Sequence, residues 1–487
     1  MKIEKDSRIL NLYIPVLFVL VAFVWKLFYM DYRDICLDEP YSVFNAQKSV
    51  AEIINISTSG EPTPPLFMLL IHFWIELFGI GSFSVRFLPL IFNSFTVLFI
   101  YFAGKRFIGF WAGFAASGLF LFSTYHFFHG LETRTYSLVS LETAASLYFY
   151  LRYADNLKDR KALAGLIISN LLLIYSHYFG WFVIFSQVIS SFLYTRNLKM
   201  LFRFMIPPFA TFLGFTPMIP VLIKQFAKST RGTWLNPPRP FDYLNQLYFF
   251  LNHKVVFWMV VIVIAVGILF TIILVIRKKW KSFNISVLVL FLWWFVPYSI
   301  MFFASSKTPM FNSRYILFTS IGLYLFIGAF INFLFQGNKY LEPLIVLTVV
   351  TFMFVYIRIL PNHFGYREVS KSVDFVKSAE NENSIILIYP VWSDFQFNYY
   401  YNQEIFQDHV NYYNVMKEND LYRVWGLPNT KQVIAAHPNR RIIYIQDGAI
   451  KDQKISVFRF LDSAFIKRDS IHFPQTIHVG VYDPKPE

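Results

Sequence analysis

Cysteine is almost missing from this chain: Cys36 stands alone among 487 residues. An internal disulfide, a cysteine-built metal cluster and a dithiol redox pair are therefore excluded. Charge is scarce too, at 15% of residues, where a soluble domain carries about 25%. There is no glycine-rich phosphate loop, so nothing supports nucleotide binding, and no short-period repeat. What fills the chain is apolar: 56% of it is hydrophobic, with 58 Phe and 30 Tyr. That balance predicts an integral membrane protein rather than a large soluble core.

The formal charge of +14 raises the question of a nucleic acid partner, and the placement of the charges answers it. Lys2, Lys5 and Arg8 precede the first apolar run, and later clusters lie in short connectors: Lys105-Arg106, Arg152 to Lys161, Arg196 to Arg203, and Arg277 to Lys281. This is the footprint of membrane orientation, not of a nucleic acid surface. Eleven candidate spans result: Ile9–Met30, Val85–Gly104, Phe110–Phe128, Arg134–Tyr153, Ala162–Ser176, Tyr178–Tyr194, Phe204–Ile223, Val255–Ile276, Ile285–Ala304, Tyr315–Phe335 and Pro343–Leu360. With a cytoplasmic N-terminus every basic cluster falls inside, and the odd count puts the C-terminal region outside. The first run is too long for a signal-peptide core and lacks a small-residue cleavage site, so it is read as a retained span.

The run from Pro64 to Phe78 does not fit as a span, because counting it would invert every later connector. It is short, and His72 and Glu76 share one face a helical turn apart. It is predicted to lie in the interface, as is Pro40–Ile54, whose Val43, Ala46, Val50 and Ile54 recur at helical spacing. After Leu360 the pattern changes. Ser384–Tyr389 and Arg441–Ile445 read as buried strands and Gln475–Tyr482 as a half-buried one. The expected division is a membrane domain, 1–360, followed by a small extracytoplasmic α/β domain, 361–487.

Against this apolar background the unusual polar residues all fall on the predicted outer side. Asp38 and Glu39 are adjacent, just after the first span and before Pro40. Proline favours the first helical position, which sets both carboxylates at a helix N-terminus, where the dipole favours their charged form. Such a group can accept a proton. Glu61 follows in the same loop. Arg86, Arg134 and Arg314 open the second, fourth and tenth spans, and a guanidinium suits bidentate phosphate contact. Glu132 and Tyr136 flank Arg134, and Tyr315 follows Arg314. His177 and Tyr178 occupy an outer turn; with Glu61, His177 is a candidate two-residue divalent metal site. Trp234, near Pro237-Pro238, offers a wall for a sugar or an isoprenoid.

Asp38-Glu39-Pro40-Tyr41-Ser42, then Pro64-Pro65-Leu66 and Arg86, together with Glu132–Ser137, Ser176–Gly180 and Arg314-Tyr315, resemble the GT-C glycosyltransferases. More narrowly, the chain is similar to the family 39-like group of protein O-mannosyltransferases and lipid A aminoarabinose transferases, over roughly residues 9–330. The resemblance implies a GT-C polytopic helical fold, a sugar donor on polyprenyl phosphate, reaction at the outer face of the membrane, and Asp38 as base or acceptor-orienting group. Many relatives carry His, Lys or another polar residue just before the Pro-Pro pair; here Thr63 stands there, with Glu61 two residues back. The implied activity is transfer of the sugar to a lipid, glycan or protein acceptor. A flippase or a polymerase of lipid-linked saccharides is the alternative, and a flippase calls for ionisable groups within spans. Lys26 is the main one.

Overall fold

The computed structural model describes residues 2–230, 232–233, 235–277, 284–335, 338–359, 367–448, 451–473 and 477–486. They form two compact units. One takes Met1–Phe28, Ile54–Phe67 and Arg86–Ile359; the other takes Tyr29–Ile53, Met68–Val85 and Leu360–Glu487. The division read from the sequence runs along the chain, whereas the contacts gather two stretches of the first loop with the C-terminal region.

The first unit is helical. Its long apolar runs become helices because a helix satisfies every backbone N–H and C=O within the segment, as a bilayer requires. Among the described residues, Ser82–Phe107, Leu198–Ser229 and Ile285–Ala304 are long and apolar enough to cross a membrane by length and composition. Asp242–Phe250 and Lys254–Phe270 pass the same test as a pair bent by 101°. Shorter apolar helices, among them Phe110–Leu121, Gly180–Tyr194, Thr319–Phe335 and Leu341–Val355, stand at other expected spans.

Two expected spans are broken. Phe110–Phe128 is interrupted after Leu121, and a second short helix runs from Thr124 to His129. Ser123 caps it, its Oγ accepting from His126 N at 3.4 Å. Phe204–Ile223 is split by a 3-10 turn at Thr216–Met218, where Pro217 cannot supply the ladder's next N–H. The Ser82–Phe107 and Phe110–Leu121 helices touch backbone to backbone. A Cβ on Gly104 would lie 2.6 Å from Gly113 Cα, so this close packing requires glycine. Lys26, wholly buried, is held by the Asn93 side-chain oxygen and by His126 O at 3.3 Å.

The second unit carries a five-stranded sheet of β1 (Ser384–Tyr389), β2 (Leu421–Arg423), β3 (Arg441–Asp447), β4 (Ile466–His472) and β5 (Ile477–Asp483), in the order β2-β1-β3-β5-β4. β1 is parallel to β2 and β3; β5 is antiparallel to β3 and β4. Ile385, Leu387, Tyr444, Leu461 and Tyr482 form its core. Gln475, at the start of the expected last strand, lies outside the described residues; the strand itself is present from Ile477.

The amphipathic stretch expected to run unbroken from Pro40 to Ile54 is two helices, Asp38–Ala46 and Val50–Ser59. A reciprocal capping box starts the second. Ser49 N donates to Glu52 Oε2 at 3.0 Å, and Glu52 N donates to Ser49 Oγ at 3.4 Å. Pro40 is the third residue of its helix rather than the first, a position whose N–H has no intrahelical acceptor in any case. The helix Leu66–Phe78 forms as expected, and His72 Nε2 lies 3.5 Å from Glu76 Oε1.

Candidate active site

In the first unit, separate stretches of the chain bring polar groups together. After the Thr124–His129 helix the chain turns sharply, Arg134 N donating to Glu132 O at 2.7 Å, before the helix Tyr136–Asp155 begins. Thr135 Oγ1 ties this turn to Ser176 O at 3.1 Å. Arg134 Nη2 stands 3.9 Å from Glu61 Oε1. The same carboxylate oxygen accepts from Thr63 Oγ1 at 2.8 Å, and Glu61 O accepts from Gln225 Nε2 at 2.9 Å. Glu61 is therefore fixed both through its backbone and through its side chain.

Aromatic rings complete the cluster. The rings of Tyr136 and Tyr315 are 6.4 Å apart, and the Arg314 guanidinium lies 5.9 Å from the first and 5.5 Å from the second. His177 packs 6.0 Å from Tyr315 and 4.6 Å from Phe179. Burial, and then the Arg134 guanidinium, hold the His177 imidazole down to about 4, so it is neutral at physiological pH. Its Nδ1 accepts from Phe179 N at 3.2 Å. Arg314 and Tyr315 lie in the turn before Thr319–Phe335, not inside a helix beginning at Tyr315. Asn312 Oδ1 shapes that turn by accepting from Arg314 N at 3.2 Å.

Glu61, Glu132, Arg134, Tyr136, His177, Arg314 and Tyr315 are thus linked within one unit. His129 joins them: its Nδ1 is 2.6 Å from Glu132 Oε2, and its ring is 5.3 Å from Tyr136. The sequence signal for it was a His and a Glu three residues apart at a helix end. Tyr178 faces elsewhere, into an apolar cluster with Phe215, Met218 and Trp181. Adjacent residues of a tight turn point in different directions, and here His177 takes the polar side. Arg86 is wholly buried near the start of the Ser82–Phe107 helix. Trp234 lies outside the described residues.

As a divalent metal site, Glu61 and His177 fit poorly. Glu61 is engaged by Arg134 and Thr63, and the same guanidinium sits close enough to depress His177. Among the described residues no group of three His, Cys, Asp or Glu converges as metal ligands would.

Asp38 and Glu39 belong to the second unit, in the first turn of the Asp38–Ala46 helix, with Glu39 buried and Asp38 part-exposed. Phe44 of that helix packs 4.5 Å from Phe395 and 4.7 Å from Tyr412, so aromatic contacts with the C-terminal region seat it.

Residues 62–223 match the dolichyl-phosphate-mannose-protein mannosyltransferase family. Comparison with curated proteins finds no sequence match. Among solved structures, apo ArnT from Cupriavidus metallidurans matches with a TM-score of 0.60 at 13% identity, over 96% of this chain and 97% of that one. The same protein bound to undecaprenyl phosphate matches at 0.56 and 13%, with the same coverage. The oligosaccharyltransferase AglB from Archaeoglobus fulgidus, in complex with an inhibitory peptide and a dolichol-phosphate, matches at 0.55 and 9% identity, over 98% of this chain and 74% of that one. The chain therefore has the fold of ArnT along nearly its whole length, and is similar to the dolichyl-phosphate-mannose-protein mannosyltransferases over residues 62–223.

Proposed function

We propose that the protein is an integral membrane glycosyltransferase that moves a sugar from a polyprenyl-phosphate donor to an acceptor hydroxyl, with inversion at the anomeric carbon. The observation that carries this reading is the convergence of Arg134 and Arg314 with Tyr136 and Tyr315 in a largely buried cluster. Fixed guanidinium groups in a partly dry site stabilise negative charge as it develops on a departing phosphate. The acceptor oxygen attacks the anomeric carbon, the bond from that carbon to the lipid phosphate breaks, and the acceptor's proton passes to Asp38. Arg134 and Arg314, with Arg86 the third candidate, take the phosphate's charge. Glu39 supports Asp38 at the helix N-terminus. Tyr136 and Tyr315 wall the sugar, and Glu61 and Glu132 orient the cations and the sugar hydroxyls.

A second feature supports a lipid-borne donor. An apolar cavity of about 600 Å³ opens between the helices Lys254–Ile276, Ile285–Ala304 and Thr319–Phe335, lined by residues such as Phe257, Ile264, Phe291, Trp294 and Phe330. It offers an isoprenoid tail apolar walls throughout. The basic connectors favour a cytoplasmic N-terminus and an outward C-terminal domain; with the odd span count this is the orientation we propose, in the cytoplasmic membrane.

The test uses membranes containing the protein and undecaprenyl-phosphate monosaccharides labelled in the sugar. Transfer of label to a new molecule supports the reading. Passage of the intact donor across the membrane without bond cleavage supports a flippase instead, and inertness towards the whole panel overturns the monophosphate donor.

A further inference from the structure

The segment that carries Asp38 is strained. Leu37, immediately before the helix, has φ 57° and ψ −115°, a conformation that a residue with a side chain keeps only where its surroundings over-determine it. The C-terminal region supplies the constraint. Leu37 N donates to Gln396 Oε1 at 3.1 Å, and Ile35 N donates to Tyr400 Oη at 2.6 Å. Gln396 cannot swing freely, because its Nε2 donates to Asp447 Oδ2 at 2.7 Å, and Arg367 Nε donates to the other oxygen of the same carboxylate at 2.7 Å. Gln396 and Asp447 are both buried. One residue earlier in the loop than Ile35, Asp34 accepts from Ser370 N at 2.8 Å. All these groups belong to one compact unit.

Their place in the sheet is informative. β1 and β3 are adjacent and parallel, so their carboxyl ends lie side by side. Asp447 is the last residue of β3, and Gln396 lies in the short helix Asp394–Tyr401 that follows β1. Open α/β sheets commonly bind ligands beyond the carboxyl ends of their strands. Here that edge grips the chain's own backbone just before the two acids.

We propose that Gln396, locked by Asp447 and Arg367, is a positioning residue that sets the Asp38–Glu39 turn for sugar transfer. The oriented amide accepts one N–H of the strained turn and fixes the first helical turn behind it. The C-terminal domain then acts on the reaction through the backbone at Leu37. The role in transfer rests on the function proposed above; the mechanical role does not.

Hydrogen–deuterium exchange of the full chain in lipid nanodiscs separates the two. In Gln396→Ala, amides of residues 34–39 are expected to exchange about 10-fold faster, while peptides covering β1 and β3 stay protected. Tyr400→Phe, which removes the acceptor for Ile35 N, should loosen the same amides and serves where Gln396→Ala also disturbs the strands. Unchanged exchange at residues 34–39 in both variants overturns the proposal. With an undecaprenyl-phosphate monosaccharide as probe, Gln396→Ala should lower kcat about 30-fold and leave KM for the donor within about 2-fold. Gln396→Glu combined with Asp447→Asn should recover most of it, because the carboxylate placed at 396 still accepts from Leu37 N and the amide placed at 447 donates to it. A normal kcat in Gln396→Ala, or no recovery in the paired variant, contradicts positioning. Full transfer by Asp38→Asn removes the base assignment instead, and hydrogen exchange at residues 34–39 then decides the mechanical role by itself.

Discussion

The Arg134 guanidinium stands 3.9 Å from the Glu61 carboxylate, and both side chains are largely withdrawn from solvent. At that distance the pair is held by charge and by its surroundings more than by a short hydrogen bond, so this contact does not engage the guanidinium as a bidentate pair would. Thr63 and Gln225 keep Glu61 in place meanwhile. The arrangement suits a guanidinium that is oriented before an anionic substrate arrives.

Arg134→Ala is expected to lower turnover by about 100- to 1,000-fold, the cost of removing one fixed charge-stabilising donor. Arg134→Lys keeps the charge and loses the planar fork, so donor KM should rise about 10-fold with a smaller change in kcat. Steady-state kinetics at saturating acceptor measure both. Equal effects of the two substitutions would show that geometry plays no part.

His177 makes stability depend on pH. Its folded value, about 4, lies below the ordinary 6.5, so between those limits the unfolded chain takes up a proton that the folded chain refuses. Stability is therefore lost as pH falls from 6.5 towards 4, by ~3 kcal/mol in all if the whole shift is realised. Thermal unfolding in detergent should show a lower Tm at pH 4.5 than at pH 7.5. His177→Asn, which retains an acceptor for Phe179 N, should flatten that difference.

Lys26 bears on the flippase alternative. It is anchored by Asn93 and His126 O, with its ammonium 5.9 Å from the rings of Phe120 and Phe127. Lys26→Met is close to volume-conserving and should cost under ~1.5 kcal/mol, with transfer activity nearly intact. Asn93→Leu removes one of the two oxygens that hold Lys26 Nζ and should cost about 1–3 kcal/mol, read as lowered expression and lowered Tm. Abolished activity in well-folded Lys26→Met would make the lysine functional.

Much of this fold was legible in the sequence because long apolar runs admit few alternatives. What escaped was local capping and distant contact. Ser49-Val50-Ala51-Glu52 is a capping box, yet the apolar spacing from Val43 to Ile54 masked the break there. Ser123 hid inside an apolar run in the same way. The association of Glu61, Arg134, His177 and Arg314 was expected from their common side of the topology, but the divergence of His177 from Tyr178 depends on a turn whose geometry no pattern encodes. The grip of Gln396 on Leu37 joins residues 359 positions apart, and nothing near either one announces it.

Direct attack on the anomeric carbon inverts it. Nuclear magnetic resonance of the isolated product should show the anomeric configuration opposite to that of the donor. A retained configuration would contradict a single direct displacement by the acceptor oxygen.

The most direct test of the central claim compares wild-type protein with Asp38→Asn in the same membranes, using an undecaprenyl-phosphate monosaccharide labelled in the sugar. With Asp38 as the base, Asp38→Asn should reach wild-type levels in the membrane and transfer label at least about 100-fold more slowly. Transfer at close to the wild-type rate would contradict that role.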